Sequence, residues 1–384
     1  MAARTGATHP ARMVSDLDFL RGAAAIAVVL SHVVPAVVAD RAEVGSRAPG
    51  YWLFHAPAAF GRVAVLLFFV LSGYLVSRSV LLGSPERRWQ RYAIARSSRI
   101  LTVFWPALVL GVGLDLLGLR WFGHVGLYAG QHPSHSLAPS DMLERLTPTV
   151  FFANAAFLQM FRAPVLGSNV ALWSLSYEAW FYVAFPFVVI AAERRSRVGV
   201  AAAMLALVLV GMFVGYTLAS YFAFWMLGVA ITWTERRGGV RFGLRARVLA
   251  LLITLALSLL HSRLPGEWLR DALVATAEAG LVATLVLRDP APRPALFAVV
   301  SRRLADVSYS LYLVHVPLVV FLATALGVPP RAPVSLRALA HVAVLLVAVA
   351  AYAVLVFWLI ERRTPAVRAW LERRFLQPEG KSSA

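Results

Sequence analysis

The chain has 384 residues, of which 60% are hydrophobic and only 15% charged, and it contains no cysteine. The absence of cysteine excludes disulfides, thiolate metal sites, thioester intermediates on the protein and palmitoylation. Its net charge of +18 comes from 37 basic against 19 acidic residues. That excess would suit nucleic acid if it were clustered on a polar domain, but here it sits in short connections between long apolar blocks. The pattern is that of a multi-pass membrane protein and excludes a nucleic-acid partner.

Ten apolar segments approach spanning length, near 17–38, 58–82, 100–119, 170–192, 198–216, 218–234, 248–261, 268–287, 304–327 and 336–360. The expected fold is therefore all-α, with about ten transmembrane helices. The seventh segment is short for a span and needs neighbours or a thinned membrane. A further apolar stretch at 148–161, "PTVFFANAAFLQM", reads as a re-entrant or interfacial piece of the long third connection. The end of the first segment loosely resembles a signal-peptidase site, but a run of spanning length that carries Arg21 and His32 suits a retained helix better. Residues 1–384 read as a single membrane domain with core 17–361, followed by a basic cytoplasmic tail at 362–384 whose final "EGKSSA" is expected to be disordered.

Charge orients the segments. The connections after the second, fourth, sixth and eighth, together with both ends, hold 26 of the 37 basic residues. By the positive-inside rule both termini and these connections are expected to be cytoplasmic. Arg21 and Arg62 are exceptions, because they lie within apolar segments.

With orientation fixed, depth follows from the helical rise of about 1.5 Å per residue. Arg21 falls roughly 6 Å, and His32 roughly 22 Å, from the cytoplasmic edge. Glu178, on the fourth segment, reaches roughly 21 Å, and His315, on the ninth, about 16 Å. Ser72, beside Gly73, arrives at a similar height, while Ser308, Tyr309 and Tyr312 lie in the inner half. An intramembrane charge costs at least about 2.5 kcal/mol on insertion scales. The matched depths therefore point to a polar cavity in which Glu178 pairs with a histidine, fixes its tautomer and makes its other nitrogen a general base. The same groups would also suit a polar network that only locks helices together. Arg96 and Arg99, at the start of the third segment, join Arg21 in a cluster able to hold phosphates by paired hydrogen bonds, as a coenzyme A thioester would need. Positive-inside orientation alone would also place them there. Trp173 and its neighbours could line a pocket or an aromatic belt. His124, His132 and His135 sit in "HVGLYAGQHPSH", with no cysteine or carboxylate at metal-ligand spacing, so no metal is expected.

Five motifs then line up: "RGAAAIAVVLSH" from Arg21 to His32, "FFVLSGY" from Phe68 to Tyr74, Arg96 with Arg99 and Ile100, "WSLSYEAWFY" from Trp173 to Tyr182, and "SYSLYLVH" from Ser308 to His315. In this order, on these segments, the chain resembles the membrane-bound acyltransferase family 3. Its members are O-acyltransferases that modify bacterial polysaccharides, lipopolysaccharide, peptidoglycan, Nod factors and some macrolides. The resemblance covers the whole ten-segment core. It implies a protein of the bacterial cytoplasmic membrane that moves an acyl group, most simply acetyl, from cytoplasmic acyl-CoA to a hydroxyl of a carbohydrate or related acceptor, with no permanently bound cofactor. On that reading His32 and Glu178 are catalytic. Arg21, Arg96 and Arg99 hold the donor. Ser72, Tyr74, Trp173, Ser308, Tyr309, Tyr312 and His315 form the substrate pocket. Three departures stand out: Thr102 replaces a frequent proline, Tyr74 a frequent phenylalanine, and no esterase-like domain follows the last segment, so the chain finishes the transfer itself or hands the acyl group to a partner. The rival expectation is a proton-coupled transporter or flippase that uses the same His and Glu as a relay.

Overall fold

In a computed structural model, residues 9–39, 59–123, 125–129, 137, 139, 141–193, 196–288, 293–329 and 332–376 are described, with 9–14 as backbone. The histidines 124, 132 and 135 and the tail from 377 lie outside the described residues.

The protein is an all-α polytopic membrane protein. Its helices are α1 (His9–Val37), α2 (Gly61–Leu81), α3 (Arg88–Phe122), α4 (Pro148–Ala155), α5 (Trp173–Glu193), α6 (Arg197–Arg237), α7 (Leu244–Leu260), α8 (Glu267–Val286), α9 (Ala295–Ala325), α10 (Leu336–Leu359) and α11 (Thr364–Leu376). Among the described residues, eight helices are long and apolar enough to cross a membrane.

The difference between eight and ten has two physical sources. The fifth and sixth expected segments fall on α6, whose 41 residues would extend roughly 62 Å as one rod, about twice the hydrocarbon core. Gly215 breaks it with φ 81° and ψ 171°, a conformation that glycine alone adopts readily. Beyond the break α6 runs parallel to α2. Arg62 meets Tyr221, Ser77 meets Thr232 at 2.7 Å, and Arg78 meets Glu235 at 3.1 Å. The other source is α8, which carries Glu267, Arg270, Asp271 and Glu278 and so lacks an apolar window. Glu267 and Asp271 pair with Arg62, whereas Glu278 is buried with one carboxylate oxygen unpartnered among the described residues, and hydropathy counts none of this.

The stretch at 148–161 forms the eight-residue α4 and a tight loop. Thr147 caps α4 by accepting from the Val150 N–H at 3.3 Å, with Pro148 in its first turn. Eight residues span about 12 Å, too short to cross, which agrees with a re-entrant or interfacial piece. Phe157 of the loop stacks on Phe104 of α3, ring centroids 4.4 Å apart.

Two pairings position the chemistry. The helices α1 and α9 lie parallel and in register: Arg21 donates to the Ala305 carbonyl at 2.8 Å, and three turns on His32 meets His315 at 3.1 Å. Gly22 permits this approach, since a Cβ there would lie 2.5 Å from Leu304 Cβ. α3 begins twelve residues before the apolar segment expected from sequence, so Arg96 and Arg99 sit on regular helix, one turn apart on one face. Thr102 and Pro106 lie within it, and α3 continues to Phe122. The tail is partly structured: α11 packs against α3, and Arg87 donates to the Leu376 carbonyl.

Candidate active site

Three cavities lie along the α1–α9 pair. The first, of about 220 Å³, is lined by Arg21, Ser72, Arg96, Arg99, Glu178, Ser308, Tyr309 and Tyr312, among others. Eight of the twelve residues named from sequence thus share one chamber, contributed by five helices. Its α5 wall is a single helical face, with Ser174, Glu178 and Tyr182 spaced i, i+4. Glu178 accepts on one carboxylate oxygen from Ser72 Oγ at 2.6 Å and Tyr182 at 2.5 Å. Trp225 supports Ser72 from behind, donating at 3.2 Å. Arg96 lies over the Tyr182 ring and Arg99 over Tyr309, 5.6 and 5.7 Å from the centroids. The Nε of Arg96 is buried without a hydrogen-bond partner among the described residues.

A second cavity, of about 410 Å³, holds His32 and Trp173. Tyr312 belongs to both linings, so it is the partition between the chambers. Its hydroxyl is fixed by Ser174 at 2.6 Å and by the Ala171 carbonyl at 2.9 Å.

The expected pairing of His32 with Glu178 is therefore corrected. Glu178 faces the arginine chamber and His32 the other, and the partner of His32 is His315. Depth matched His32 to Glu178, but helical rise sets height and says nothing of which way a side chain points. The tautomers follow from the contacts. His315 is fully buried, and its Nδ1 lies 2.8 Å from the Tyr312 carbonyl and 3.1 Å from that of Leu311. Carbonyls only accept, so this Nδ1 carries the proton and Nε2 a lone pair. His32 Nδ1 sits 3.1 Å from that lone pair and 2.9 Å from the Val28 carbonyl. It must donate, which leaves His32 Nε2 as the basic atom. His315 thus does for the tautomer what a carboxylate does in other histidine bases.

Tyr74 also departs from expectation: it is fully buried among packed helices and donates to Glu235 at 2.9 Å rather than lining either chamber. The phenylalanine-to-tyrosine departure serves helix packing.

Sequence reading assigned nothing to the charged corner of the histidine cavity. Arg62 lies 2.7 Å from Asp271 and 2.5 Å from Glu267. Asp271, 1% exposed, also accepts from Tyr221 at 2.9 Å and meets His261 at 2.8 Å. The available signal was an arginine and an aspartate each inside an apolar segment, since such groups must find partners. Asp271→Ala strands Arg62 and His261, although Arg62 is one-third exposed and keeps Glu267. A loss of about 2–3 kcal/mol is expected, seen as a lower unfolding temperature in detergent. An unchanged transition would mean that this corner is not holding α2 to α8.

A family model described as an acyltransferase domain matches residues 14–362. The chain belongs to this acyltransferase family. No curated protein and no solved structure matches it. The matched region contains all three arginines, Glu178 and both histidines, so both chambers belong to the acyltransferase domain.

Proposed function

We propose that this membrane acyltransferase takes an acyl group, in the simplest case acetyl, from acyl-CoA in the arginine chamber. The acceptor is a hydroxyl of a carbohydrate or related molecule that enters the histidine chamber. The observation that carries this reading is the end-to-end arrangement: guanidinium groups at one end, an oriented imidazole at the other, and one tyrosine between. With both ends of the chain cytoplasmic, as the arginine distribution implies, the donor enters from the cytoplasm of a bacterial inner membrane. Arg21 and His32 are separated by about 16 Å of helix, comparable with a pantetheine arm. One end of the donor is gripped while the other reaches Tyr312.

The balance is that of acyl transfer. His32 Nε2 takes the acceptor's hydroxyl proton, the oxygen attacks the thioester carbonyl, the C–S bond breaks, and the thiolate leaves to be protonated as free CoA. Ser308, Tyr309 and Tyr312 line the chamber where the carbonyl oxygen gains charge. Because His32 lies beyond the partition from the donor, a second route is also supported: His32 Nε2 attacks the thioester carbonyl, the C–S bond breaks and CoA leaves, and the acceptor hydroxyl then attacks the acyl-imidazole, its proton passing to the released imidazole. No metal or permanently bound cofactor enters either route.

The test is reconstituted protein with radiolabelled acetyl-CoA and a carbohydrate acceptor. Free CoA should form in step with acylated product. Uptake of an intact solute without CoA release would instead support the transporter that uses the same residues as a relay.

A further inference from the structure

The third cavity, of about 520 Å³, adjoins the arginine chamber and shares Arg21, Arg96, Arg99 and Tyr309 with it. It is of the size that holds small molecules. Its far wall is not built from the expected spanning segments. It comes from the segment after α10, where Arg362 and Arg368 line it together with Glu361. With Asp306, that makes five arginines against two carboxylates.

This wall is held in place. Glu361 accepts from the Ser310 backbone N–H at 3.0 Å and from its hydroxyl at 2.5 Å, tying the turn to α9. Arg362 lies over Trp358, 4.8 Å from the centroid, and Arg87 binds the end of α11. Arg368 is half exposed and, among the described residues, pairs with Glu372 on its own helix at 2.8 Å. Such a surface pair contributes little and is readily exchanged for a stronger anion.

We propose that α11 is part of the donor site: Arg362 and Arg368 bind the donor phosphate farthest from the thioester. This rests on the acyl-CoA reading. Coenzyme A carries two phosphate clusters, a pyrophosphate next to the pantetheine arm and a monophosphate on the ribose. The three shared arginines stand at the junction through which the arm must pass, so they take the pyrophosphate. The ribose monophosphate then falls in the vestibule, opposite α11, where bidentate guanidinium contacts are on offer. A lipid headgroup would present the same phosphate chemistry to these arginines, and the donor series below separates the two.

The experiment uses the full chain in nanodiscs, with acetyl-CoA, 3′-dephospho-acetyl-CoA and S-acetylpantetheine as donors. Arg362→Gln/Arg368→Gln, and Arg368→Gln alone as the milder surface change, should raise KM for acetyl-CoA about tenfold or more. The KM for the other two donors and kcat should stay unchanged. Arg363→Gln/Arg373→Gln, off the vestibule, should match the parent. An unchanged KM for acetyl-CoA, or an equal rise on all three donors, overturns the proposal. An equal rise that disappears in nanodiscs without anionic lipid assigns the arginines to headgroups instead. If the parent turns over no CoA thioester at all, the donor reading fails, whereas an active parent with indifferent variants sinks only the role of α11.

Discussion

His32→Ala is expected to lower acyl transfer at least about a thousandfold, toward the upper end of what a general base supplies, while leaving acyl-CoA binding nearly intact. The separation follows from the two chambers: His32 is not in the lining that contains Arg21, Arg96 and Arg99. His315→Ala should be milder. It removes the lone pair that holds the His32 Nδ1 proton, but the Val28 carbonyl at 2.9 Å still accepts it. A fall in kcat of about ten- to a hundredfold, with KM unchanged, is the expected size for a partner that orients a reactive imidazole. Both are read with radiolabelled donor at saturating acceptor. The same assay separates the two routes. If His32 carries the acyl group, omitting the acceptor should still give one equivalent of CoA per protein and a label that hydroxylamine releases. Wild-type turnover in His32→Ala would end both routes.

Gly228→Val should prevent recovery of monodisperse protein, or lower its unfolding temperature by ten degrees or more. A Cβ at Gly228 would lie 2.2 Å from the Val70 carbonyl oxygen and 2.5 Å from the Tyr74 nitrogen. At Gly73, across the same contact, it would lie 2.0 Å from the Trp225 carbonyl oxygen. These obstacles are backbone atoms on regular helices, so no side-chain rotation relieves them. The helices α2 and the second half of α6 must separate, which removes the close backbone approach that holds membrane helices together. The site suffers with the fold, because Trp225 supports Ser72 and Ser72 donates to Glu178. Gly113→Ala is the control: nothing lies within 4 Å of a Cβ there, and alanine favours a helix over glycine. Size-exclusion profiles and thermal unfolding in one detergent settle the comparison. A Gly228→Val protein with the parent's transition would show that the helices do not touch as described.

Much of the arginine chamber was legible beforehand. Ser72, Glu178, Ser308, Tyr309, Tyr312 and Arg21 are polar groups on apolar segments, and such groups have to turn inward, while Arg96 and Arg99 stand just ahead of one, where positive-inside orientation alone would also place them. Their gathering into one lining is the consequence. Tyr74 passed the same test and went elsewhere: it donates to Glu235 near the end of α6. The charged corner of Arg62, Asp271 and His261 was visible only as single anomalies. Its members come from α2, α8 and the turn before α8, and no spacing rule joins residues some two hundred positions apart.

By itself, the sequence determined an all-helical membrane protein, the fixed interval between Arg21 and His32, and the excess of guanidinium groups at one end. Each follows from quantities local to a segment: hydropathy, helical rise and charge. Only the tertiary structure decided that His315, not Glu178, holds His32, that Tyr312 divides the interior, and that a helix beyond the last apolar segment walls the arginine vestibule. Those facts depend on how each helix is rotated and which neighbours it meets. Rotation and neighbours are set by close packing at a few small residues, such as Gly22, Gly73 and Gly228, whose effect appears only once two helices touch.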